Sequence, residues 1–191
     1  YPVGTTDFTP MINESAGSGA DTFVAFSYPP DTFALTQQAQ VAQFNPNVLY
    51  LGVGTGFPAY GLNNGPNAEG IMSLGGIDVT NEAVMDYRQR HEEFVGQAPD
   101  WWGSVIPYAS LQMLQEAIKR HGLDRDAVSE ELSTGTFETV LGETTLENNQ
   151  LRTLWFGGQW QDGNFVAVAP SDREGAVEPI LPKAPWLPVN N

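Results

Sequence analysis

Cysteine is absent from this 191-residue chain, and positive charge is scarce: 8 Lys and Arg stand against 23 Asp and Glu, for a net charge of −15. Without cysteine there is neither a disulfide framework nor thiolate chemistry, which fits an exported bacterial protein. Without a basic face, nucleic acid and anionic membrane surfaces are poor partners. Histidine is limited to His91 and His121. They lie far apart on separate predicted helices, so no metal-ligand set forms, and a solvent-facing or helix-end role is expected for each. No run approaches the roughly 20 apolar residues of a membrane span. Tyr1-Pro2-Val3 is not the charged n-region of a signal peptide. No G-x-S-x-G motif occurs, and a carboxylate pair can always be imagined among so many acids. No catalytic residue, metal or cofactor is assigned.

What is present is a globular composition, 41% hydrophobic with 14 prolines. The stretch Phe23 to Phe57 organises the rest. Phe23 to Phe26 reads as a strand stopped by Pro29 and Pro30. Asp31 caps a helix over about Thr32 to Phe44, with Phe33, Leu35, Ala39, Ala42 and Phe44 on its apolar face. Val48 to Val53 is a second strand, closing in Gly54-Thr55-Gly56-Phe57. Strand, helix and strand in this order imply a parallel pair with a right-handed crossover. Ligands of open α/β sheets bind where such strands end.

Before this unit, Pro10 marks a short helix. After it, Pro58 to Asn67 is dense in turn formers and reads as a long loop. Gly70 to Ile77 reads as a third strand. Thr80 or Asn81 caps a helix carrying Val84, Tyr87, His91, Phe94 and Val95. Asp100-Trp101-Trp102 begins the most apolar helix, kinked or started at Pro107 and stopped at Gly122. Its stripe is Leu111, Leu114, Ala117 and Ile118. A charged helix follows from Asp124, then strand or turn character over Phe137 to Leu146. Thr153 to Ala169 is a hairpin turning on Asp162-Gly163. The proline-rich tail crosses a surface. Arg88, Arg90 and Arg125 read as solvated helix faces.

Gly52-Val53-Gly54-Thr55-Gly56 lacks the G-x-G-x-x-G spacing of a dinucleotide site, and a tight strand-end turn accounts for it better. The aromatic residues Tyr28, Phe57, Tyr60, Trp101, Trp102 and Tyr108 fall in or beside predicted loops and helix starts, where rings with polar handles suit a small-molecule cleft.

The segments FVAFSYPPDTFALTQQAQ, NPNVLYLGVGTGFPAYG, APDWWGSVIPYASLQMLQEAIKRHG, GTFETVLGETTL and GQWQDGNFVAVAP together resemble the substrate-binding proteins of branched-chain amino acid and amide ABC transporters, of the type I periplasmic binding protein fold. The resemblance covers essentially the whole chain, but only the later part of the family's length. It implies an α/β, Rossmann-like protein that is incomplete: the second lobe plus returning helices of the first. Residues 1–77 are then the ligand-binding lobe 2, 78–153 the helices of lobe 1, and 154–191 a return to lobe 2. It implies no catalysis, a periplasmic or extracytoplasmic location, and capture of an amino acid, amide or related acid between lobes for delivery to a permease. A separate N-terminal fragment is expected to complete the fold. Ser27, Tyr28, Gly54, Thr55, Phe57, Trp101 and Tyr108 are the expected ligand contacts, with Tyr28 matching a ligand-packing tyrosine of relatives. Where amino-acid-binding relatives hold the ligand ammonium with an acid, this chain has Gly54 or Thr55, so an aromatic or carboxylate ligand fits as well. A ligand sensor on the same fold and a nucleotide-using α/β enzyme are the alternatives.

Overall fold

The computed structural model describes residues 1–152 and 154–188. The chain divides into two compact units, the first of Tyr1–Ile77 with Trp155–Asn191, the second of Asp78–Leu154.

The first unit is a five-stranded sheet in the order β1-β2-β3-β8-β9. β1 (Thr22–Ala25) and β2 (Val48–Leu51) are parallel, with Thr22 opposite Val48 and Ala25 opposite Leu51. β3 (Met72–Ser73) continues the parallel set, with Met72 opposite Tyr50. It is shorter than the run Gly70 to Ile77 suggests. Gly75 and Gly76 take φ of 96° and 94°, and a Cβ on Gly76 would strike Val166 O, so the chain turns where a strand would continue. β8 (Gly157–Gln161) and β9 (Asn164–Ala169) complete the sheet antiparallel. They turn on Asp162 and Gly163, both at positive φ as a type I′ turn requires.

α1 (Thr9–Gly17) precedes β1, α2 (Pro29–Val41) joins β1 to β2, and α3 (Pro58–Asn64) follows β2. Two expectations are corrected here. The Pro29-Pro30 pair starts α2, because proline lacks the N–H that the first turn leaves unpaired anyway. Asp31 therefore sits in the first turn and Tyr28 is the N-cap. Pro58 does the same for α3, so the turn-rich segment expected to be a loop is helical. Tyr60 anchors it: wholly buried, its ring stacks 6.4 Å from Trp160 and meets Phe33 edge-on at 5.5 Å. Its hydroxyl is 2.8 Å from that of Thr36. The proline-rich tail runs over this unit, donating from Lys183 N to Asn47 O and from Trp186 Nε1 to Phe44 O.

The second unit holds α4 (Glu82–Val95), α5 (Val105–His121) and α6 (Arg125–Thr134), then the hairpins β4 (Phe137–Thr139) with β5 (Gly142–Thr144) and β6 (Leu146–Glu147) with β7 (Gln150–Leu151). Asn81 Oδ1 caps α4 by accepting from Ala83 and Val84 N–H. Asp124 caps α6 from Asp126 and Ala127. α5 stops at Gly122, φ 66°. The helix starts at Val105, which leaves Pro107 harmless in its first turn. Its buried stripe is Val105, Ala109, Met113 and Ala117. Of the expected stripe, Ala117 is buried but Leu111 is 64% exposed. Leu114 is exposed as well, and with Tyr108 and Ile118 these residues line an open groove of about 550 Å³.

Candidate functional site

The edge of the first unit that carries the candidate residues Ser27, Tyr28, Gly54, Thr55 and Phe57 is built by the loops leaving β1 and β2. Their hydroxyl residues turn inward. Ser27 and Thr32 place their hydroxyls 2.7 Å apart, Thr32 Oγ1 donates to Val53 O at 2.8 Å, and Gly52 N donates to Ser27 Oγ at 3.2 Å. Thr55, wholly buried, bonds Gly52 O through its hydroxyl at 3.2 Å, and its own carbonyl accepts from Trp160 Nε1 at 2.8 Å. Ser73 Oγ also donates to Gly52 O. This net ties the ends of β1, β2 and β3 to the far hairpin. Gly52 and Gly54 permit it. A Cβ on Gly52 would collide with the Ser27 backbone, and Gly54, at φ 111°, lies against Pro29.

With the hydroxyls turned in, the rim carries apolar groups outward. Tyr28 is 74% exposed, Val53 42%, and Phe57 and Leu74 are also exposed. Phe26, 89% exposed, is the residue before the buried Ser27. No residue of 26–28, 52–57 or 73–76 carries an ionised side chain at neutral pH. Asp31 directs its carboxylate to the Tyr1 hydroxyl at 2.9 Å. The rim is thus a rigid, neutral, partly aromatic surface on a hydrogen-bonded base. Of the sequence-derived contacts in this unit, Tyr28 and Phe57 present rings outward. Gly54 shapes the turn, and Ser27 and Thr55 contribute hydroxyls to the base. Sequence reasoning missed Thr32, Val53 and Trp160; an alternation of threonines at 32 and 36 inside an otherwise apolar helix face was the available signal.

Trp101 and Tyr108 belong to the second unit. Trp101 is buried, with the Arg88 guanidinium 3.5 Å from its ring centre. Arg88 also donates to Pro99 O and Asp100 O, and burial pulls its pKa down against the opposing pull of Asp100. It is therefore not the solvated residue that the sequence suggests. Asp100 Oδ1 accepts from the N–H groups of Trp102, Gly103 and Ser104. Tyr108 packs on Tyr87 with ring centres 4.8 Å apart. Trp102 Nε1 is buried without a partner among the described residues. His91 Nδ1 lies 3.1 Å from Gln97 O, and His121 Nε2 lies 2.8 Å from Glu131. Among the described residues no cluster of three or more His, Asp or Glu could hold a metal ion, and no helix is long and apolar enough to cross a membrane.

The profile of the periplasmic binding protein family matches residues 1–164. The chain belongs to the periplasmic binding protein family. It is 29% identical over 200 residues to the Leu/Ile/Val-binding protein homolog 7 of Brucella suis, covering 96% of this chain and 49% of that one. It is 26% identical to the Leu/Ile/Val-binding protein homolog 8 of Brucella abortus, covering 90% and 46%. The chain spans about half the length of the curated relatives it matches. Among solved structures, a leucine binding protein of Thermotoga maritima superposes with TM-score 0.69 at 20% identity, covering 91% of this chain and 51% of that one. An ABC transporter solute binding protein of R. palustris, in complex with benzoate, gives TM-score 0.70 at 17% identity, covering 88% and 48%. These likenesses establish the type I periplasmic binding protein fold, of which the chain holds part.

Proposed function

We propose that this chain is part of an extracytoplasmic solute-binding protein. It captures a small organic molecule and delivers it to the permease of an ABC importer, without catalysis. The observation that carries this is the rim. At the ends of two parallel strands, rings and aliphatic groups face outward while the hydroxyls of Ser27, Thr32, Thr55 and Ser73 hold the loops from within. Ligands of α/β sheets settle at such strand ends, and a preorganised apolar surface loses little on binding. Family membership supports the same reading, as do relatives named for Leu, Ile and Val binding.

A further N-terminal segment completing the fold is part of the proposal. Its support is the half-length match to the relatives, the edge strand β1 with Val24 uncovered, and the open groove on α5.

A thermal-shift screen tests the function on the natural polypeptide that carries this sequence, with amino acids, amides, aromatic acids and diols. A true ligand at about 100 times its dissociation constant adds about 2.7 kcal/mol. Tyr28→Ala is expected to abolish that gain. A gain that survives Tyr28→Ala, or one given only by nucleotides, contradicts the proposal.

A further inference from the structure

We infer that Phe165 couples the rim to the two places where the chain crosses between its units. A solute that orders the turn at residues 54–57 then also acts on the backbone beside both crossings. That use of the coupling rests on the solute-binding reading; the coupling itself does not.

The crossings lie between Ile77 and Asp78 and between Leu154 and Trp155. Phe165, on β9 and wholly buried, bears on the rim and on the segment beside each crossing. One edge of its ring faces the rim turn, where a Cβ on Gly56 would lie 3.2 Å from Cδ1 and 3.3 Å from Cε1. The same edge faces β8, the strand entered from the second crossing. A Cβ on Gly158 would lie 2.6 Å from Cε1 and 2.7 Å from Cζ. The Phe165 carbonyl accepts from the N–H of Ile77, the last residue before the first crossing, at 3.3 Å. The two segments also meet one another, since that Cβ on Gly158 would stand 2.8 Å from Gly75 O.

Both glycines set backbone, with no flexible side chain between, against an aromatic ring. A ring cannot shorten, and a close-packed interior leaves little slack. Displacement of the turn at Gly56 is therefore passed to the backbone at Gly158. The neighbouring rim residue makes a second tie to the same hairpin. Thr55 O accepts from Trp160 Nε1 at 2.8 Å, and Trp160 is opposite Phe165, with ring centres 5.7 Å apart. Beyond the ring, Ile77 O accepts from Ala167 N at 2.9 Å and Phe156 N donates to Ala169 O at 3.1 Å. The amides of Ile77 and Phe156 thus report on the two crossings. A ligand shifts a conformational equilibrium only through contacts that differ between its states, and this packing gives the rim such a contact.

Amide hydrogen exchange of the natural polypeptide, with no solute added, tests the coupling. Gly56 lies outside the left-handed region, so alanine is compatible with its backbone, and Gly56→Ala presses a methyl on the Phe165 ring. It is expected to speed exchange at Ile77 and Phe156 at least about threefold relative to Val48, whose N–H is held by Asp21 O at the start of β2. Combined with Phe165→Leu, whose shorter side chain leaves the methyl room, Gly56→Ala is expected to leave that ratio unchanged. Phe165→Met replaces Phe165→Leu if the latter does not fold. Tyr28→Ala, at an exposed ring of the rim, is expected to leave the ratio unchanged with or without Phe165→Leu. Equal speeding of Val48, or an undiminished response to Gly56→Ala alongside the Phe165 substitution, makes Phe165 a packing residue only and overturns the inference. So does an unmoved Ile77 and Phe156 in Gly56→Ala. Each of these results leaves the solute-binding reading intact, because the thermal-shift screen decides that separately.

Discussion

Lys183 is 2% exposed, with its Nζ donating to Ala184 O at 2.6 Å and lying 3.6 Å from the Trp186 ring centre. Burial pushes its pKa from the ordinary 10.5 down to about 8. Below pH 8 the folded and unfolded chains both hold the proton. Between about 8 and 10.5 only the unfolded chain does, so stability rises with pH across that window, by up to about 3 kcal/mol. Urea titrations at pH 7 to 10 should show this rise, and Lys183→Met should flatten it. A second residue-scale test concerns the hydroxyl pair inside the first unit. Thr36 Oγ1 donates to Thr32 O, so the Tyr60 hydroxyl donates to Thr36. Tyr60→Phe removes that one buried bond and should cost about 1 kcal/mol in the same titration. These threonines explain part of what the sequence concealed. A hydroxyl reads as polar, yet the partners of Thr32 and Thr36 include Val53 and Tyr60, more than twenty residues away along the chain. The spacing of Thr32 and Thr36 marks two hydroxyls on an apolar face but does not name these partners.

At the scale of elements, local chemistry decided what could be read. The Asp162-Gly163 turn, the Asn81 cap (one of two residues expected there) and the Gly122 stop are settled by a few neighbouring atoms and lie where residue type placed them, whereas Asp124, read as the first residue of its helix, is that helix's cap. α3 was illegible because its glycine and asparagines oppose a helix, and contacts distant in sequence, chiefly the burial of Tyr60 against Trp160 and Phe33, hold it. The α5 stripe was misjudged for the same kind of reason. Its leucines are more apolar than Ala109 or Ala117, but Phe137 packs where the small residues leave room. Asn81→Ala and Asp124→Ala should each cost about 1 kcal/mol and speed amide exchange in the first turn of α4 or α6. Gly52→Ala drives a methyl into the Ser27 backbone. It should destabilise by about 2 kcal/mol or more and unlock the rim, which a loss of ligand affinity in the still-folded variant would register.

For the whole molecule, exposed apolar surface is the feature with consequences. An uncovered edge strand and an apolar helix groove both favour association. The 191-residue chain by itself should self-associate in light scattering, and Leu111→Lys with Leu114→Lys should reduce that association. The rim is different in kind, since it is small, rigid and set where strands end. Residue type singled out Tyr28 and Phe57 only together with Tyr60, Trp101, Trp102 and Tyr108, of which Tyr60 and Trp101 are buried, and the inward turn of Ser27 and Thr55 likewise required the fold. The most direct test of this account is an amide chemical-shift map of the isotopically labelled natural polypeptide, titrated with its best small-molecule ligand. The account predicts the largest shifts within this chain at residues 26–28 and 53–57. Shifts confined to the α5 groove, around Leu111, Gln115 and Lys119, with the rim unmoved, would contradict it.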